Sequence, residues 1–142
     1  MEIAIDFDGT CVTHEFPEIG RDIGAGRVLR ELVRNGHKLI LFTMRSDRFV
    51  PGPTGHEMIR DETGSFLSDA IKWFKDNGIE LYAIQTNPSQ ASWTTSPKCY
   101  AQMYIDDAAL GAPLVTPDNE GEHPYIDWIQ VRSLLVAKKL IK

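Results

Sequence analysis

Two aspartates near the start of the chain, Asp6 and Asp8, have the type and spacing of a metal site. They follow a short apolar run at residues 3–5, which predicts a buried strand that Gly9 ends. Because side chains alternate along a strand, residues two apart point the same way. Two adjacent carboxylates repel each other, and a hard divalent cation such as Mg²⁺, which prefers oxygen ligands, relieves that repulsion. The pair therefore predicts a magnesium site.

Polar residues also end the other predicted strands. The second strand ends in Thr43, the third in Gln85, and the fourth in Asp106 and Asp107. The carboxyl ends of parallel strands share one edge of a sheet, where open α/β proteins bind their ligands. We therefore expect these side chains to converge with the first two aspartates on one crevice, where the acids bind Mg²⁺ directly or through its waters.

The elements that must position these residues are strands and helices that alternate along the sequence. Strands are predicted at residues 3–5, 38–43, 81–85 and 102–106, with a short fifth at 114–115. Helical spacing of apolar residues predicts a helix around 28–33 that stops at Asn35-Gly36, and another around 66–74 that stops at Asn77-Gly78. A long loop is predicted at 44–64.

A last helix is predicted from Tyr125 to the end of the chain. The candidates for its buried stripe are Trp128, Ile129, Val131, Leu134, Leu135 and Ile141. The alternation of elements predicts one α/β domain over residues 1–142, with three α/β/α layers, a mostly parallel sheet and helices on both of its faces.

The composition narrows the class of protein. The 42% apolar and 25% charged residues are typical of a soluble globular domain. A net charge of −5 argues against a general affinity for nucleic-acid backbone, although a local basic patch stays open. Cys11 and Cys99 are expected to be free thiols in a reducing cytosol. The sequence has no signal-peptide pattern and no membrane-length apolar run, so a cytoplasmic location is expected.

Four motifs occur in the order found in one enzyme family. Asp6-Phe7-Asp8-Gly9-Thr10 resembles the first signature of the haloacid dehalogenase superfamily. Leu41-Phe42-Thr43 resembles its second motif, Ser96-Pro97-Lys98 its third, and Ile105-Asp106-Asp107 its fourth. The resemblance covers residues 3 to about 111 and implies a Rossmann-like fold and a Mg²⁺-dependent phosphatase.

The resemblance implies roles for the acidic residues. Asp6 would attack phosphorus as the nucleophile and form an aspartyl-phosphate. Asp8 would protonate the leaving oxygen and then deprotonate the water that cleaves the intermediate. The metal set would be Asp6, Asp8 through its backbone carbonyl, Asp106 and Asp107, with Mg²⁺ as the cofactor. Which of the last two ligates the metal directly stays open.

The resemblance also implies residues that contact the phosphorylated substrate. Thr43 would hydrogen-bond the transferring phosphoryl group, and Lys98 would offset its charge. Lys72 and Lys75 are alternatives to Lys98, on a helix expected to lie farther from the strand ends. Arg45 and Ser46 follow the second motif directly.

These two residues, Arg45 and Ser46, are expected at the rim of the crevice, where an arginine forks onto a phosphate or a carboxylate. Further candidates for substrate contact are His14, Arg48, His56 and Arg60.

The gaps in which such enzymes carry a cap domain, residues 11–22 and 86–97, are too short to bury a core of their own. The chain therefore resembles a capless member, whose open site suits a bulky phosphorylated substrate as well as a small one. A second hypothesis is a non-hydrolytic module, receiver-like or degenerate, that accepts a phosphoryl group without turnover. The oligomeric state stays open.

Overall fold

In a computed structural model, residues 1–47 and 64–142 are described and form a mixed α/β fold. The mostly parallel sheet contains β1 (Glu2–Ile5), β2 (Lys38–Leu41), β3 (Ala83–Ile84) and β4 (Met103–Ile105), in the order β3-β2-β1-β4. A second, antiparallel pair joins β5 (Leu114–Val115) to β6 (Tyr125–Ile126). The helices are α1 (Ala25–Arg34), α2 (Phe66–Asp76) and α3 (Trp128–Ala137), with a short 3₁₀ helix at Pro88–Ser92.

Strand β1 lies between β2 and β4, and this order creates the crevice. The register pairs Ile5 with Leu41 on one side and with Ile105 on the other. From β1 the chain moves outward through β2 to β3 and then returns to form β4 on the far side of β1. Such a reversal is a topological switch point, which opens a crevice at the carboxyl ends of the two strands. The residues that follow Ile5 and Ile105 therefore meet there.

The helices pack on one face of the parallel sheet. Ile3, Ile5 and Leu39 belong to one buried cluster with the apolar residues of α1, α2 and α3. The connections through α1 and α2 run in the same direction along the sheet, and right-handed crossovers then place both helices on one side. Ala4 and Ile40 are buried on the opposite face and lie outside that cluster. Helices on both faces were expected; among the described residues the three α-helices lie on one face, and only the short 3₁₀ helix at Pro88–Ser92 belongs to the segment on the other.

The segment between β3 and β4 covers part of the opposite face. Tyr104 pairs with Ala4 in the register, so its side chain lies on that face. The Tyr104 hydroxyl donates a hydrogen bond to the carbonyl of Cys99, which is itself buried. The side-chain amide of Asn87 donates to the carbonyl of Tyr100 at 2.9 Å and closes the segment on itself. This largely irregular segment thus covers part of the face on which we expected an α-helix.

The last helix begins later than predicted. Residues 125–126 are extended because they pair with β5. The side chain of Asp127 then accepts hydrogen bonds from two backbone amides of the first turn, which caps α3 at its start. In the predicted stripe, Ile129 is 83% exposed and Leu134 is 52% exposed, so both were wrongly assigned. The other members, Trp128, Val131, Leu135 and Ile141, are buried.

The prediction that the cysteines are free is confirmed, and both Cys11 and Cys99 are buried. In the two described ranges, no helix is long and apolar enough to cross a membrane. Three candidates for substrate contact, Arg48, His56 and Arg60, lie outside the described residues.

Candidate active site

Three carboxylates meet at the switch point between β1 and β4. Asp6, Asp106 and Asp107 each offer an oxygen atom, and these atoms lie within 4.8 Å of one another. The backbone amide of Asp6 donates to the carbonyl of Ile105 at 3.0 Å, so the β1–β4 ladder continues into the site. Asp106 accepts a 2.8 Å hydrogen bond from the amide of Ala108, which fixes its side chain. The convergence expected from the sequence is therefore present for these three residues.

The hydroxyl of Thr10 links two of the three carboxylates. Its Oγ1 lies 2.9 Å from Oδ2 of Asp6 and 3.3 Å from Oδ1 of Asp107. It also accepts a hydrogen bond from the backbone amide of Asp107 at 3.1 Å. Because a hydroxyl has one proton, Thr10 donates to one carboxylate at a time. No role was predicted for Thr10 from the sequence, although it closes the first motif and lies four residues after Asp6, which was a usable signal.

Gly9 lets the loop approach the carboxylates closely. Its φ of +79° lies in the left-handed region that favours glycine. A Cβ atom at Gly9 would lie 2.0 Å from Nε2 of His14 and 2.6 Å from Oδ2 of Asp107. These two groups are themselves hydrogen-bonded at 2.7 Å. His14, a predicted candidate for substrate contact, therefore contacts an acid of the cluster.

The pKa of Asp6 is raised from 3.8 to about 7, chiefly because burial disfavours its charged form. The charge of Asp106 contributes to this rise, while hydrogen bonds from the Phe7 backbone and the Thr10 hydroxyl oppose it. A half-buried carboxyl among two others resists ionisation unless a cation offsets the charge. Three carboxylate oxygens within reach of one another are ligands that suit Mg²⁺.

The side chain of Asp8 lies apart from this cluster and is held by Arg45. Nε of Arg45 donates to Oδ2 of Asp8 at 2.8 Å, and Nη2 donates to Oδ1 at 2.8 Å. This two-pronged ion pair occupies both carboxylate oxygens. The expectation from spacing that the carboxylates of Asp6 and Asp8 share one cation is therefore corrected: among the described residues, the acidic cluster contains three carboxylates, and the side chain of Asp8 is not one of them. The backbone carbonyl of Asp8 stays a predicted ligand.

Arg45 is buried, so its predicted contact with substrate is wrong for this conformation. Only 3% of the residue is exposed. Besides the two bonds to Asp8, its guanidinium donates to the carbonyls of Pro17 at 3.3 Å, Glu18 at 2.7 Å and Phe66 at 3.2 Å. These contacts use all five of its N–H donors. No donor is left for a phosphate or carboxylate of a substrate.

Gln85 holds the loop that carries Thr43. The backbone amide of Thr43 donates to Oε1 of Gln85 at 2.9 Å. In return, Nε2 of Gln85 donates to the carbonyl of Thr43 at 2.7 Å and to that of Arg45 at 3.1 Å. Gln85 has a φ of 65°, unusual for a residue other than glycine. From the sequence, Gln85 was predicted only as the polar end of a strand. In the structure its side chain holds the backbone of the loop that carries Thr43 and Arg45.

The hydroxyl of Thr43 accepts a hydrogen bond from the amide of Arg45 at 3.1 Å. Its own proton is therefore available to another acceptor. Ser46 follows on the same loop and is exposed, as expected for a residue at the rim.

Lys98 lies beside the cluster rather than within it. Its Nζ lies 5.5 Å from the centre of the Tyr104 ring, within the distance of a cation–π contact. Lys98 also lines an open cavity of about 340 Å³ together with Phe42 and Asp106. The alternative Lys72 forms an ion pair with Asp76 on the exposed side of α2. Of these two lysines, Lys98 is therefore the one that shares a cavity with an acid of the cluster.

The chain is similar to one solved structure, described as that of a conserved protein from Bacteroides thetaiotaomicron. The two are 31% identical, with a TM-score of 0.65, and the similarity covers 98% of this chain and 91% of the other. No family model matches the chain. No curated protein matches it either.

Proposed function

The chain belongs to the same family as the conserved Bacteroides thetaiotaomicron protein, and we propose that it is a Mg²⁺-dependent phosphomonoesterase of the haloacid dehalogenase type. The observation that carries the proposal is the cluster of Asp6, Asp106 and Asp107 at the switch point of a parallel sheet. Motifs far apart in the sequence supply this cluster in the order that the family resemblance implies.

The donor set of the cluster fits Mg²⁺. Asp6, Asp106 and Asp107 would hold the ion, with the backbone carbonyl of Asp8 as a further ligand. When bound, the ion supplies positive charge that offsets the phosphoryl oxygens and the carboxylates. The raised pKa of Asp6, near 7 without a cation, supports a site built for one.

In the first half-reaction, an oxygen of the Asp6 carboxylate attacks phosphorus, and the bond from phosphorus to the leaving oxygen breaks. The product is an acyl phosphate on Asp6 and an alcohol. Thr10 fixes the rotation of the attacking carboxylate through Oδ2. Thr43 offers its free hydroxyl proton to a phosphoryl oxygen.

In the second half-reaction, water attacks the same phosphorus atom and releases Asp6 and inorganic phosphate. Asp8 supplies the proton to the leaving oxygen in the first step and accepts a proton from water in the second. Lys98, at the edge of the cavity that Asp106 also lines, offsets charge on the bound phosphate.

A phospho-accepting module is the second candidate, and one observation favours it. Arg45 holds both oxygens of Asp8, so in this arrangement the Asp8 carboxylate is engaged outside the acidic cluster at which water would attack. A chain locked in that state would accept a phosphoryl group on Asp6 and keep it. Steady phosphate release distinguishes the enzyme from a module that is phosphorylated once.

The proposal is tested by measuring phosphate release from a panel of phosphate monoesters, with Mg²⁺ and with EDTA. We expect turnover only with the metal, and we expect Asp6→Asn to lower kcat by roughly three orders of magnitude or more. Asp76→Asn, which removes an exposed carboxylate on α2, is the matched control and should be fully active. Retained turnover in Asp6→Asn contradicts the nucleophile assignment.

A further inference from the structure

Arg45 forms an ion pair with the proposed acid–base residue, Asp8, and is itself buried. Its Nε and Nη2 hold the two oxygens of Asp8, both at 2.8 Å. We propose that Arg45 is a positioning residue that acts on the reaction through Asp8 and never contacts the phosphate. This inference rests on the proposed phosphomonoesterase function and assigns Arg45 a task within it.

The guanidinium of Arg45 is fixed on all sides. The carbonyls of Pro17, Glu18 and Phe66 hold its remaining N–H groups. The rings of Phe7 and Phe16 lie 5.0 and 5.1 Å from its central carbon.

Moving Arg45 toward a substrate would leave three carbonyl groups without their donor and break two aromatic contacts. The Asp8 side chain, which is 18% exposed against 1% for Arg45, is the partner that can turn. The fixed fork therefore sets the resting position of Asp8.

The fork sets the orientation of the Asp8 carboxylate for proton transfer. Each Asp8 oxygen accepts one hydrogen bond from Arg45 and keeps a further lone pair that can carry a proton. Arg45 thus defines the orientation from which Asp8 transfers a proton, and removal of Arg45 leaves the carboxylate without that orientation.

The leaving group of the substrate separates this role from direct binding. An alkoxide such as that of glycerol 2-phosphate needs a proton as it departs, whereas p-nitrophenolate departs readily without one. Loss of a residue that acts through Asp8 therefore lowers kcat mainly for the alkyl ester. Loss of a residue that binds phosphate raises KM for both esters.

The experiment is a double-mutant cycle of Arg45→Lys and Arg45→Gln with Asp8→Asn, measured on both esters. We expect each Arg45 variant to lower kcat for glycerol 2-phosphate by about tenfold more than for p-nitrophenyl phosphate, with KM little changed. In the Asp8→Asn background the same substitutions should have no further effect. A rise in KM for both esters, or an undiminished loss in the Asp8→Asn background, overturns the proposal.

Arg27→Gln is the matched control, because Arg27 is an exposed arginine paired with Glu31 on α1. It should leave both kcat values unchanged.

A second measurement does not depend on turnover or on the folding of the Arg45 variants. In the wild-type protein, the ¹⁵N resonance of Arg45 Nε–H should be resolved and slow to exchange with water. Asp8→Asn should shift it and speed its exchange, while Asp106→Asn should not. If Asp8→Asn leaves this resonance unchanged, the positioning role is refuted. If wild-type protein hydrolyses no ester but the resonance responds, the proposed function fails and the Arg45–Asp8 link stands.

Discussion

The indole Nε1 of Trp128 donates a 2.7 Å hydrogen bond to the backbone carbonyl of Thr10. Trp128 is the first residue of α3, and Thr10 carries the hydroxyl that links Asp6 to Asp107. Nearby, the amide of Ile126 donates to the carbonyl of Gly9 at 2.9 Å. The last third of the chain therefore fixes the loop on which the acidic cluster depends.

Trp128→Phe should lower both the free energy of unfolding and the Mg²⁺ affinity of the acidic cluster. The substitution keeps an aromatic ring but leaves the buried carbonyl of Thr10 without its donor, which costs about 1–3 kcal/mol of the free energy of unfolding. Urea unfolding measures this loss, and calorimetry measures the Mg²⁺ affinity, which should fall with it. Trp93→Phe, at a residue that is 60% exposed, should change neither quantity. Equal stability of the two variants would show that the hydrogen bond contributes nothing.

Gly9→Ala should lower stability and metal affinity by more than backbone strain alone explains. A Cβ there would meet His14 and Asp107 well inside contact distance, in addition to the cost of a positive φ. Gly36→Ala is the matched control, because Gly36 has a φ of +83° and open space around its Cβ position. We expect the control to lose about 1–2 kcal/mol of unfolding free energy and to keep its Mg²⁺ affinity. Gly9→Ala should lose more stability and most of its metal affinity.

The stability of the metal-free protein should depend on pH through Asp6. Because its pKa is about 7 in the fold and near 3.8 in the unfolded chain, the folded state holds a proton that the unfolded state has released between these values. The contribution to the free energy of unfolding is therefore complete below pH 4 and is lost as pH rises through 7.

The difference in stability between Asp6→Asn and wild type is measured by thermal unfolding in EDTA. It should favour Asp6→Asn more at pH 8 than at pH 5. Mg²⁺ binds the ionised form, so its affinity for the wild type should rise over the same range. A wild-type and an Asp6→Asn curve that run parallel from pH 5 to pH 8 would contradict the assignment.

Lys98→Met should lower turnover much more than Lys72→Met. Lys98 lines the cavity that Asp106 also lines, whereas Lys72 is paired with Asp76 on the exposed side of α2. Removing a group that stabilises charge in a transition state typically lowers kcat by about a hundredfold. Steady-state kinetics with Mg²⁺ at saturation compares the two variants. A larger effect at Lys72 would show that the third-motif lysine is Lys72 on α2 and not Lys98.

Residue patterns alone predicted the elements that carry continuous or periodic apolar residues. Strands β1 and β2 are buried runs, and α1 and α2 end at the predicted Asn-Gly pairs, so local chemistry decides them. The start of α3 was wrong because residues 125–126 gain more from pairing with β5 than from extending the helix. Helix propensity does not reveal a partner strand elsewhere in the chain.

The convergence of Asp6, Asp106 and Asp107 followed from one rule about parallel sheets. The position of Arg45 did not, because three carbonyls from two distant segments decide it. A sequence shows which side chains carry charge, but it does not show which backbone carbonyls will surround them. The same limit explains why Gln85, which clamps the Thr43 loop, was seen only as a polar strand end.

The order of strands has a consequence for biosynthesis. Strand β1 leaves the ribosome before its neighbour β4 and before the indole that secures the Thr10 loop. Asp6 therefore meets Asp106 and Asp107 only after the residues between them have been synthesised. A nascent chain that ends before β4 would lack two of the three carboxylates of the cluster.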